Sequence, residues 1–157
     1  MEILKKSGFK LIEDGNILAG YGTAHFRMVQ IKVWIENTAV DRIEFILSSE
    51  QIEFKDTSDH WNTILEKEEL EYFSSAIFSG AEETYLQASF ASGIKFVLIS
   101  AMGNKFYMNE MFFKLAGKIA LSAWYQLQFN PTAIDLTFNE LYQIQPHLFR
   151  SPYDEEI

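Results

Sequence analysis

The chain has 157 residues, 13 Lys+Arg, 22 Asp+Glu, three His and no Cys, for a formal charge of −9. That length suits one domain with a core large enough to need no staple. The missing cysteines exclude disulfides, thiolate metal centres and a Cys nucleophile, and the negative balance argues against direct nucleic-acid binding. No leader-like apolar stretch follows Met1, and the longest apolar runs, such as Phe96–Ile99, hold only a few residues. A membrane-spanning helix needs about 20. The expected location is cytoplasmic, with no membrane partner.

In chain order, Asp14-Gly15 lies between apolar runs 9–13 and 16–22, which predicts a hairpin because both positions accept positive φ. Gly20-Tyr21-Gly22 resembles part of a glycine-rich loop, but Ala24-His25-Phe26 breaks any dinucleotide fingerprint, so the glycines predict a bulge or turn. Residues 25–36 read as one long strand. Val29, Ile31, Val33 and Ile35 share one face, and Gln30, Lys32, Trp34 and Glu36 the other. A turn at 37–39 leads to a strand over 40–47 carrying Ile43, Phe45 and Leu47 on one side.

The period then changes. Thr57-Ser58-Asp59 offers N-cap oxygens, and Trp61, Ile64, Leu65, Leu70, Phe73, Ile77 and Phe78 form a helical stripe with a slip near Glu66–Glu69. This predicts a central helical segment over about 58–79, stopped at Gly80. Strands are expected over 84–92 and 94–102, around Gly93. Residues 105–115 and 118–129 flank Ala116-Gly117. Ile119, Leu121, Ala123, Tyr125, Leu127 and Phe129 alternate with Lys118, Ser122, Gln126 and Gln128, with Trp124 on the second, more polar side. Met111, Phe112, Leu115 and Ile119 also fit a helical face, so strand and helix compete; the twelve-residue alternation favours strands. A short helix over 137–145 is stopped by Pro146.

No repeat, linker or low-complexity tract divides the chain, so 1–157 reads as one domain with a short acidic tail over about 151–157. The expected class is α+β: a bent, mainly antiparallel sheet of about six to eight strands, the central helical segment packed on one face, and a short C-terminal helix.

Candidate chemistry is sparse. Asp56, Asp59 and His60 form the one compact set of carboxylates and imidazole that would suit a divalent ion, but the same residues cap helix starts, and no metal or cofactor is expected. His25, His60 and His147 are widely spaced and sit in no catalytic motif, which leaves a non-enzymatic reading. The charge is the informative feature. Residues 50–83 hold ten acids and two lysines, so −8 of the −9 lies there, on an otherwise near-neutral chain. A solvated helix face normally mixes signs, whereas one-signed fields accelerate encounter with an opposite partner. Asp56, Asp59, Glu66, Glu68, Glu69 and Glu71 are therefore the candidate contacts for a basic protein. The concrete form is an inhibitor or immunity-type protein that neutralises a toxin. An alternative is a small-molecule or lipid-binding domain, or an enzyme on such a fold, with Trp34, Phe45, Tyr107 and Trp124 lining an aromatic pocket between sheet and helix. A further alternative is a chaperone for secretion or phage assembly. Oligomeric state is open.

Overall fold

The structure is a computed structural model. It describes residues 7–14, 17–48, 63–88, 90, 92–104, 106, 108–129, 135–136, 140 and 142–143. Among the described residues, seven strands and two long helices form an α+β unit in the order β1 (Ser7–Asp14), β2 (Ile17–Phe26), β3 (Val29–Thr38), β4 (Ile43–Leu47), β5 (Thr63–Ile64), α1 (Lys67–Gln87), β6 (Gly93–Gly103), α2 (Glu110–Phe129) and β7 (Asp135–Leu136). The open sheet runs β4-β6-β3-β2-β1-β7, with β5 beside the end of β6. All its pairings are antiparallel except β4 with β6. A parallel pair needs a crossover connection, and α1 lies in it.

Register decides which side chains meet. Val29, Ile31, Val33 and Ile35 of β3 lie opposite Phe26, Ala24, Gly22 and Gly20 on β2. Across β6, Val33 and Ile35 meet Leu98 and Phe96. This is the apolar face anticipated from the two-residue period, and both helices pack on it. Phe112 of α2 meets Phe26 edge-on at 5.6 Å, and Phe78 of α1 stacks on Phe45 at 4.8 Å. Phe96, Phe113 and Trp124 are wholly buried between the layers.

Several expectations change. The strand expected over 25–36 is two strands joined at Arg27-Met28, where Arg27 takes φ 51°. No Gly, Asn or Pro marks that turn, so composition hides it. Its guanidinium lies 5.6 and 5.5 Å from the Phe26 and Phe112 ring centres, a contact that holds the turn against α2. Gly20-Tyr21-Gly22 is neither bulge nor loop; it runs through the middle of β2. A Cβ at Gly22 would come within 2.2 Å of the Gly8 carbonyl oxygen, so glycine is required by the close approach of β1.

The central helix is displaced toward the C-terminus, to Lys67–Gln87, and takes in residues 84–87, expected as strand. The predicted capping cluster Thr57-Ser58-Asp59 lies outside the described residues. Glu66 caps α1 instead, in a reciprocal box with Glu69. The largest correction is at 110–129. The expected strands are one helix, α2, with Asn109 Oδ1 accepting the Phe112 N–H at 2.9 Å at its start. Within the helix expected over 137–145, the described residues Glu140, Tyr142 and Gln143 are helical.

Candidate interaction surface

The two helices cross with their starts at the same end. Tyr72 meets Glu110 and Phe73 meets Phe113 near the starts, Ile77 and Gly80 face Gly117 and Lys114 at the crossing, and Glu83 meets Lys118 beyond it. Their N-termini therefore lie at one end of the molecule. The β2–β3 turn joins them there, through the Arg27 contact with Phe112.

At this end the acidic residues of α1 divide by role. Glu66 and Glu69 close the capping box, the Glu69 carboxylate accepting the Glu66 N–H at 3.5 Å, and Glu68 and Glu69 face the positive end of the helix dipole. Capping accounts for the Glu66–Glu69 pair, and the dipole makes an acid at Glu68 inexpensive without requiring one. Glu71 sits beyond the first turn and is exposed, as are Glu66 and Glu68. Exposed apolar side chains accompany them: Tyr72 at 65%, Met111 at 62% and Phe106 at 86%. The Tyr72 phenol hydrogen-bonds to Glu110, whose carboxylate raises its pKa above the ordinary tyrosine value. That contact ties the acidic start of α1 to the start of α2. Nothing in the sequence periodicity singles out Tyr72, Met111 or Phe106, because only the helix pairing brings them to one end. Asp56 and Asp59 lie outside the described residues.

Not every acid of the 50–83 segment faces solvent. Glu83 is buried at the helix interface, 2.9 Å from Lys114 Nζ and 2.7 Å from Lys118 Nζ of α2. Burial raises its carboxyl pKa, but the hydrogen bonds and charges of Lys118 and Lys114 outweigh that and hold it below the ordinary value of 4.5. Glu83 is an internal tie and does not face a partner.

The aromatic candidates separate. Trp124 is fully buried on α2, among Ala116–Leu127 neighbours that are themselves nearly all buried, and the polar strand face expected to carry it does not exist. Phe45 packs between Phe78 and Phe96 on the helix-covered face. Tyr107 lies outside the described residues. Trp34 is half-buried on the opposite face of the sheet, its indole N–H donating to Glu36 Oε2 at 3.1 Å, with Lys95 Nζ 3.8 Å from the other Glu36 oxygen.

His25 lies on β2 opposite Gln30; His60 and His147 lie outside the described residues. Among the described residues no three His, Asp or Glu gather as a metal site. None of the described helices is long and apolar enough to cross a membrane.

No protein family matches the chain, and no curated protein matches it. A crystal structure of a protein from Thermus thermophilus is similar over 76% of this chain at 13% identity, with a TM-score of 0.40; the matched region spans 15% of that protein's length.

Proposed function

We propose that this is a non-enzymatic protein-binding domain that docks a basic partner through the end where α1 and α2 begin, in the manner of an inhibitor or immunity-type protein acting on a basic toxin. The observation that carries the reading is the pairing of exposed Glu66, Glu68 and Glu71 with exposed Tyr72 and Met111, linked by the contact of Tyr72 with Glu110. Exposed apolar side chains rimmed by charge are the usual make-up of a recognition patch. The negative field speeds encounter with a basic surface, and the aromatic supplies contact area once the water is expelled. Glu68 and Glu71 carry the prediction because neither belongs to the capping box.

The test uses the immobilised full chain against native cell lysate, with the double variant Glu68→Lys/Glu71→Lys beside it. The expected result is a basic protein held by the wild type, released as salt screens the contact, and absent from the variant. For the isolated pair, charge reversal should slow association by about tenfold or more at low salt and flatten its salt dependence. The same proteins on both baits, or an unchanged association rate, would overturn the reading.

A further inference from the structure

The turn between β6 and α2 is pinned to the body of the molecule by one residue. Asn104 is 3% exposed. Its N–H donates to the Met28 carbonyl at 3.1 Å, which ties this turn to the β2–β3 turn. Its own carbonyl accepts the Met108 N–H at 2.8 Å, and its Oδ1 accepts the Phe106 N–H at 2.9 Å. Asn109 then opens α2 by accepting the Phe112 N–H. Asn side chains that bond nearby backbone in this way fix a turn without using the side chains they span. Met108 packs against the core. Phe106 does the reverse: at 86% it is the most exposed large apolar side chain among the described residues.

The turn does not call for an aromatic at this position. It uses the Phe106 backbone N–H, so a polar residue would serve as well and would leave no phenyl ring in water. Single exposed apolar side chains are ordinary, but Phe106 is not single. Tyr72 and Met111 lie at the same end, so three of the seven exposed large apolar side chains among the described residues gather there. The exposed acids Glu66, Glu68 and Glu71 stand at the start of α1. Aromatics and Met at the centre with charge around them is the composition of a protein–protein contact.

We propose that Phe106 is the anchor of this end: its ring fills an apolar socket on the partner protein, and Lys and Arg side chains frame that socket and meet Glu66, Glu68 and Glu71. The inference rests on the docking reading above and adds to it what the partner's surface must contain. The two parts have different tasks. The acids act at a distance and set the rate of association, whereas the ring acts on contact and sets the rate of dissociation. A pinned turn presents the ring with little order left to lose on binding, and Phe has only two side-chain torsions to fix. Charge selects the occupant. A second copy of the chain would bring two acidic ends together, and nucleic acid or an anionic bilayer would meet the same repulsion.

The experiment places the photo-crosslinking residue p-benzoylphenylalanine at position 106 of the full chain and, in a parallel protein, at Leu86, which is 55% exposed near the far end of α1. Each is irradiated in native cell lysate at low salt. The expected result is an adduct from position 106 alone, to a basic protein, joined at an apolar residue flanked by Lys or Arg, and lost with Glu68→Lys/Glu71→Lys. With that basic protein purified, Phe106→Ala should dissociate about thirtyfold faster or more and associate within about twofold of the wild type, whereas Glu68→Lys/Glu71→Lys slows association. The Tm of Phe106→Ala should equal that of the wild type, because so exposed a ring contributes little to the fold. Unaltered dissociation in Phe106→Ala, an adduct between two copies of the chain, or equal labelling from Leu86 would each overturn the anchor. If charge-dependent capture persists in those cases, the docking reading stands; if neither an adduct nor charge-dependent capture is found, both fall.

Discussion

Glu83 shows how one residue changes meaning on folding. Along the chain it is the last of ten acids in a segment that reads as solvent-facing. In the fold it is 8% exposed and clamped between Lys114 and Lys118. The hint is present in the four-residue spacing of those lysines within an apolar run, which places both on one helix face, but their partner sits about thirty residues upstream and no local pattern connects them. Removing the carboxylate leaves Lys118, itself 5% exposed, charged and buried without its counter-ion. Glu83→Gln should therefore destabilise the fold by about 3 kcal/mol at neutral pH, measured by urea unfolding. The pH dependence has a definite sign. Because the folded carboxyl titrates below 4.5, its stabilising contribution is complete above that value and is lost as pH falls through the lower folded pKa. The stability gap between wild type and Glu83→Gln should accordingly be constant from neutral pH down to about 5 and close on further acidification.

At the level of elements, α2 is the instructive case. Residues 116–124 are buried at every position, so the helix has no polar stripe to impose a 3.6-residue period. An apolar run of that kind carries no decisive periodicity, and the chance alternation of Lys118, Ser122, Gln126 and Gln128 with larger side chains imitates a strand. Of the four residues fitted to the competing helical face, Ile119 is buried and Phe112 and Leu115 pack against the core, while Met111 is 62% exposed. Glycine misleads for a related reason. Gly80 reads as a helix stop and Gly117 as a break between strands, yet both lie inside helices, at the point where α1 and α2 touch backbone to backbone. A Cβ at Gly80 would stand 2.0 Å from the Lys114 carbonyl oxygen, and one at Gly117 would stand 2.1 Å from that of Ile77. Alanine at either site gains about 1 kcal/mol of helix propensity, but a clash with rigid backbone forces the helices apart and costs about 1–3 kcal/mol or more. Each Gly→Ala variant should be net destabilised, and the double variant should fall short of additivity, since one displacement relieves both contacts. Thermal unfolding of the two singles and the double checks this.

For the whole molecule, the sheet is organised around β3 and β6. They pair with each other along their full lengths, and each is flanked on its other side, by β2 and by β4 with β5. Their inward residues Ile31, Val33, Ile35, Phe96 and Leu98 are wholly buried under the two helices. Amide exchange should therefore be slowest at Ile31–Ile35 and Phe96–Leu98, where opening requires unfolding the whole domain, and faster by orders of magnitude in edge strand β4. Equal protection in β4 and β3 would show that the edge is covered more firmly than the described contacts indicate.

The chain alone determined the class, the inward face of β3, the hairpin at Asp14 and the concentration of charge in one segment. Each of these is written in residues close together, through alternation, turn chemistry or local composition. Only the tertiary structure decided that residues 110–129 are a helix, that Gly80 and Gly117 mark a helix crossing, and that Glu83 turns inward while Glu68 and Glu71 remain outside. Those outcomes depend on which distant surface each residue meets. A helix whose middle is buried on all sides, a glycine at a backbone contact and an acid paired with remote lysines have the same local appearance as a strand, a stop and a solvated charge until the partner element is in place.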